Sequence, residues 1–173
     1  MEARNALEFN PIHLLRPRSG SLRLAGVDCL SWRLAAETNN LRHWKLVPAS
    51  CENYIGNYML GEQYKNDCKV VADAAIEYAK SLKLAGDGKD VWVFDTDETT
   101  VSNLPYYARS DVLFGGRADW GTSTVDYKSK KRTELVNEGY RIVGNIGDQW
   151  SDLLGANPGN RTFKMPDPMY YVG

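Results

Sequence analysis

The sequence is short of several things, and each shortage removes a class of function. No apolar stretch among its 173 residues approaches the ~18 needed for a membrane-spanning helix. The start, MEARNALEFNPIHLLRPRSGS, lacks the roughly 7–15-residue apolar core of a signal peptide. Lys and Arg number 21 against 22 Asp and Glu, a formal net charge of −1. That leaves no basic field for nucleic acid and no polybasic patch for a membrane surface. The two histidines, His13 and His43, have no partner pattern. The three cysteines, Cys29, Cys51 and Cys68, show no C-x-x-C spacing and no neighbouring histidine, which excludes a thiolate metal site. Their spacing leaves two states open: one disulfide with a free thiol in an oxidising compartment, or three buried thiols in a reducing one. There is no internal repeat and no low-complexity tract.

What remains, 43% hydrophobic and 25% charged, is the balance of one soluble domain. Residues 1–28, rich in Arg, Ser, Gly and Pro, read as an irregular arm, and 29–173 as a single α/β domain. CLSWRLAAETNNLRHW at 29–44 has Leu30, Leu34, Leu41 and Trp44 at approximate helical spacing, with Pro48 as its stop. A second helix is predicted over 65–84, with Val70, Val71, Ala74, Ala75, Tyr78 and Leu82 on one face and Gly86 and Gly88 ending it. The unalternating run Val91–Phe94 reads as a strand buried on both faces. A short strand is expected at 111–116, and a basic helix at about 128–138 with Leu135 and Val136 inward and Gly139 as terminator. A further strand follows at 140–148. Alternating helices and strands imply an open, mostly parallel sheet. Trp44, Trp92 and Trp150 read as core or pocket wall. Asn160-Arg161-Thr162 is a glycosylation sequon, relevant only to a secreted chain.

The chemistry is concentrated in VWVFDTDETT, 91–100, where an apolar strand stops at Asp95 and Asp97. Ligands of parallel sheets bind beyond the carboxyl ends of the strands. Two carboxylates there repel unless they share a cation or a proton. A calcium EF-hand does not fit, because its sixth and twelfth positions are Thr100 and Tyr106 rather than Gly and Glu. Downstream, Lys128 lies among Lys130, Lys131 and Arg132, and the strand at 140–148 again runs into an acid, Asp148.

These stretches resemble the haloacid dehalogenase (HAD) superfamily of phosphohydrolases. FDTDETTVSNLPYY is similar to its first motif, and YKSKKRTELVNEGYRIVGNIGDQWSDLLG to its third and fourth. CLSWRLAAETNNLRHWKLVPASC, YMLGEQY and FKMPDPMYY are more specifically similar to the plant acid phosphatases of class B type and the related vegetative storage proteins. The resemblance implies a Rossmann-like core with a central, mostly parallel sheet, preceded by N-terminal helices. It implies a phosphomonoester hydrolase in which Asp95 attacks phosphorus and forms an aspartyl-phosphate. Asp97 would protonate the leaving alcohol and then activate water. Mg2+ would be held by a carboxylate of Asp95, the backbone carbonyl of Asp97 and the carboxylate of Asp148. Lys128 would hold the phosphoryl oxygens, with Asp152 behind the metal shell or Lys128. Family members are secreted or vacuolar. Some relatives are storage proteins, so a non-catalytic role is the alternative that the same resemblance implies.

One departure from the family pattern matters. Positions 95 and 148 are only 53 apart, where the family carries a long insertion. The similarity breaks near 108–111, and the cap and the strand carrying a second-motif Thr or Ser have no counterpart. VLFGGR does not replace that motif, because Gly115 stands where the hydroxyl is needed and lies 13 positions before Lys128. Losing such a donor is expected to cost ~10²–10³ in rate. Removing a strand also opens a sheet edge, from which self-association into a homodimer is expected.

Overall fold

The structure is a computed structural model describing residues 27–42, 44, 46–102 and 123–172. Most of the expected arm, the strand expected at 111–116, the break near 108–111, Gly115 and both histidines lie outside the described residues.

Helix α1 spans Cys29–Glu37. Asp28 caps it, its carboxylate accepting from the Ser31 N–H at 2.8 Å. It stops well short of the expected 44. The Thr38 hydroxyl bonds back to the Leu34 carbonyl at 2.7 Å, and Asn39 turns left-handed at φ 58°. The buried face is also not the one the leucine spacing suggests. Leu30 and Leu34 are 57% and 64% exposed, whereas Trp32 and Ala36 are buried. Trp32 sets the rotation because an indole buries more area than a leucine, and it packs edge-on against Trp44 with centroids 4.9 Å apart.

A 3₁₀ turn at Ala49–Cys51 leads into α2, Glu52–Leu60, a helix the sequence reading did not anticipate. Gly61 joins it to α3, Glu62–Ser81, at a place where a methyl group would sit 2.7 Å from the Asn57 carbonyl oxygen. A disulfide links Cys29 to Cys51, with Cα atoms 5.4 Å apart, and Cys68 remains a half-buried free thiol. That selects between the two states the spacing left open. Trp32, Val47, Ile55, Tyr58, Met59 and Met169 form the core of this N-terminal layer.

Helix α3 crosses to a second core, where Val71, Ala74, Ala75 and Tyr78 meet Trp92, Ile146 and Phe163. Val70, expected on that face, is exposed. The helix ends at an extended Leu82, ahead of the predicted glycines. Gly86 and Gly88 instead take positive φ in the turn that enters the sheet.

The described sheet has three parallel strands in the order β1 (Asp90–Phe94), β2 (Arg141–Gly147) and β3 (Thr162–Lys164). Phe94 pairs with Ile146, and Ile146 with Phe163. Contrary to expectation, β1 is only partly buried, and Phe94 is 60% exposed. Among the described residues β1 has a strand neighbour on one side only. Trp92 covers one of its faces, stacked on Phe163 at 5.7 Å.

Helix α4, Thr124–Asn137, starts four residues before Lys128, which therefore sits one turn inside it rather than at its start. Leu135 is half-buried but Val136 is exposed, and the buried member of this basic helix is Arg132. Gly139, at φ 86°, ends it as expected. A four-residue helix, α5 (Trp150–Leu153), follows β2. The segment after β3 returns to the N-terminal layer, where Leu46 bridges Tyr170 and Lys164 pairs with Glu37 at 3.0 Å. No helix among the described residues is long and apolar enough to cross a membrane.

Candidate active site

Parallel pairing carries the ends of β1 and β2 to one edge of the sheet, and the acids emerge there. The Asp95 N–H still bonds the Ile146 carbonyl at 3.0 Å, so this residue is held at the strand's last hydrogen bond. The chain then folds into a tight turn. Thr100 and Val101 N–H groups return to the Thr96 carbonyl at 3.1 and 3.0 Å, and Glu98 is buried in a left-handed conformation. The Thr100 hydroxyl donates to the Asp95 carbonyl. Thr99 thereby faces inward and donates to Asp148 at 2.9 Å.

From the second strand, Gly147 lets the chain pass close to Asp152, where any side chain would overlap that carboxyl group. Gln149 caps α5 reciprocally with Asp152, and its own N–H donates to the Asp152 carboxylate at 2.8 Å. Helix α4 adds Lys128. Its ammonium donates to Asp95 at 2.9 Å and, closer still, to Asp152. Carboxylate oxygens of Asp95, Asp148 and Asp152 all lie within 4.8 Å of one another. Beside them opens a cleft of about 170 Å³, walled by Val93, Phe94, Tyr127 and Leu135, with Lys131 also on its lining.

The electrostatics follow from burial. Asp148 is 1% exposed, and burial pushes its carboxyl up to about 6, with the charges of Asp152 and Asp95 adding to the rise against hydrogen bonds from Gln149 and Thr99. Asp152 is also raised: burial outweighs its pairing with Lys128. Burial alone would lower the Lys128 ammonium, but hydrogen bonds and charge from Asp152 and Asp95 raise it above the ordinary lysine value. Lys128 is therefore a firmly held cation among carboxylates.

Of the residues expected at the site, Asp95, Lys128, Asp148 and Asp152 converge. Asp152 enters the carboxylate cluster directly rather than standing behind it. Asp97 is exposed, and it bridges Val101 within the turn.

Several participants escape sequence reasoning. Gln149 donates from one amide to Asp148 at 3.0 Å and to the buried Asp167 at 2.7 Å, while its amide oxygen accepts from the Val172 N–H at 2.9 Å. Burial, with Asp148 next to it, holds the Asp167 carboxyl well above the usual range. Arg132 donates to the carbonyls of Asp152 at 2.6 Å and Ala156 at 3.1 Å, and also to that of Leu154, so one guanidinium holds the loop behind Asp152. Asn145 adds a bond to the Asp152 carbonyl at 2.8 Å. The signal for Asp167 is present in FKMPDP, an acid between two prolines, but nothing local says where it points.

Comparison with known proteins bears on this geometry. The family model described as HAD superfamily, subfamily IIIB (Acid phosphatase) matches two stretches, residues 19–112 and 108–173. Acid phosphatase 1 of Solanum lycopersicum is 36% identical over 214 aligned positions, covering 84% of this chain and 84% of that protein. Vegetative storage protein 2 of Arabidopsis thaliana is 32% identical, covering 94% and 86% respectively. Vegetative storage protein 1 from the same plant is 34% identical, covering 97% and 87%. An alignment of 214 positions exceeds the chain's 173 residues, so at least 41 aligned positions have no residue here.

Proposed function

The chain belongs to the HAD superfamily, subfamily IIIB, the acid phosphatases, and from that premise we propose that it hydrolyses phosphomonoesters through a covalent intermediate on Asp95. The observation that carries the proposal is Lys128, whose ammonium joins Asp95 and Asp152 at the mouth of the cleft. A phosphate entering there meets a fixed positive charge beside a nucleophilic carboxylate. An oxygen of Asp95 attacks phosphorus, the P–O bond to the alcohol breaks, and Asp97 supplies the proton to the departing oxygen. Water activated by Asp97 then attacks the aspartyl-phosphate, releasing phosphate and restoring Asp95.

Three clustered carboxylate oxygens form an oxygen-only donor set that fits a hard divalent cation. Asp95, Asp148 and Asp152 would hold Mg2+, with the Asp97 carbonyl as the further ligand that the family pattern implies. The ion supplies neutralisation of charge between nucleophile and phosphate. Thr99 and Gln149 orient Asp148 toward that position by donating to its two oxygens.

The break in the family match at 108–112 and the unmatched aligned positions support an internal deletion that removes the cap and the second-motif hydroxyl. Activity is then lower than in an intact relative by ~10²–10³-fold. The same two features, with similarity to two vegetative storage proteins, favour a storage role as the second reading.

The deciding measurement is turnover of an aryl phosphate by the purified chain, with and without Mg2+, beside Asp95→Asn. Magnesium-dependent turnover that vanishes in the variant is the expected result. A folded chain, shown by circular dichroism, that never turns over would leave the storage reading standing.

A further inference from the structure

We propose that Asp167 is a positioning residue for the carboxylate cluster: it fixes the side-chain amide of Gln149, and through it the carboxylate of Asp148. The inference rests on the reading of that cluster as a Mg2+ site and extends it to the far side of Asp148.

Donors and acceptors leave Gln149 one arrangement. Its amide oxygen accepts from the Val172 N–H at 2.9 Å, which turns the amino group toward two acids. That group donates to Asp148 at 3.0 Å and to Asp167 at 2.7 Å. Asp167 is itself held by its own turn, where its other oxygen accepts from the Met169 N–H at 2.9 Å. Asp148, Gln149 and Asp167 are all buried, so little water competes for these bonds. Removing the Asp167 carboxylate leaves an amide donor unmade in the interior, and turning to satisfy it takes the amino group off Asp148.

Packing does not account for an acid at this position. Two buried carboxyl groups facing one amide cost stability that a neutral side chain of similar size would not. What the arrangement supplies is direction. Thr99 donates to one oxygen of Asp148 and Gln149 to the other, which sets the plane of that carboxylate as it faces Asp95 and Asp152.

Asp167 serves as a fixed point because its segment is tied on both sides. Toward the site, the Met165 N–H donates to the Gly147 carbonyl at 2.8 Å, and the Ser151 N–H to that of Val172 at 2.9 Å. These two bonds bracket the strand end and loop that carry Asp148. Away from the site, the Lys164 ammonium donates to the Met165 carbonyl at 2.8 Å and to Glu37 of α1 at 3.0 Å. The Tyr171 hydroxyl donates to Asn39, just beyond α1, at 3.1 Å. The N-terminal layer contributes no residue to the cluster, yet it anchors the segment that orients it.

Calorimetric titration of Mg2+ into the purified full chain, with no substrate present, tests the proposal. Asp167→Leu and Asp167→Ala should each weaken Mg2+ binding by ~10–100-fold. Asp167→Asn keeps an oxygen toward the Gln149 amide and should retain most of the affinity. Gln149→Met should weaken binding as well, and combining it with Asp167→Leu should add little, because Asp167 acts through Gln149. Val71→Ala, in the second core, supplies the contrast of a lower thermal midpoint with unchanged Mg2+ binding. A folded Asp167→Leu or Asp167→Ala chain that binds Mg2+ as the parent does would overturn the proposal, and so would additive losses in the double variant. A parent chain that binds no Mg2+ would overturn the magnesium site itself, and this inference with it.

Discussion

Arg132 belongs to a basic stretch, 128–132, that reads as a solvated helix face, yet its guanidinium is among the most buried charged groups described. What the sequence could not reveal is that the loop after α5 directs three carbonyls at it. Arg132→Met would leave the Leu154 and Ala156 carbonyls without this donor, while Asp152 keeps the bond from Asn145. At ~1–3 kcal/mol for each acceptor left unmade, unfolding free energy should fall by about 2 kcal/mol or more, and Arg132→Lys by roughly half that. Urea denaturation of the three proteins measures it, and equal midpoints would refute the clamp. Asp95 and Asp148 were legible as acids into which apolar strands run, whereas Lys128 and Asp152 were expected only from the family resemblance, since nothing in the basic stretch or the turn after Asp148 singles them out. Thr99, Gln149, Asn145 and Asp167 were not, because a polar side chain's partner across the fold leaves no local periodicity.

Among elements, the strands at β1 and β2 were easiest to read, since uninterrupted apolar runs bounded by turns have few other uses. The helices were harder. In α1 the spacing of leucines pointed to one face and the area of Trp32 chose another. In α2, ENYIGNYML interrupts its apolar residues with Asn53, Gly56 and Asn57, so its inward residues Ile55, Tyr58 and Met59 do not stand out. The short α1 depends on a tether. Its Cys29–Cys51 link closes a separation of 22 residues, and opening it should cost ~2–4 kcal/mol. For a chain of this size that lowers the melting temperature by on the order of 10 °C. Cys51→Ser and wild type under reductant should shift together in a thermal melt, and Cys68→Ser should shift little. A Cys51→Ser protein that melts with wild type would show the tether to be dispensable.

For the molecule as a whole, buried acids set the response to pH. Burial raises Asp148 to about 6, and it also raises Asp152, Asp167 and Glu37. Between roughly pH 4, where unfolded carboxyls release protons, and about pH 6, the native state holds protons that the unfolded chain has lost. Stability must therefore fall as pH rises through that window. The opposite contribution from Asp87, held down to about 2 chiefly by its hydrogen bond to Arg141, acts below it. A cation bound only by the folded state offsets the loss. Thermal melts in chelator should show midpoints declining from pH 4 to 7, with millimolar Mg2+ flattening the decline. A midpoint that climbs across this range without metal would contradict the account.

The segment after β3 carries a consequence for biosynthesis. Met169 completes the N-terminal core, Tyr170 bridges Leu46, and Lys164 reaches Glu37 across 127 positions. A ribosome delivers α1, α2 and α3 long before it delivers these partners. The nascent chain must hold Trp32, Ile55 and Tyr58 partly uncovered until residues 162–172 have emerged. Folding of the N-terminal layer thus waits on the synthesis of residues 162–172.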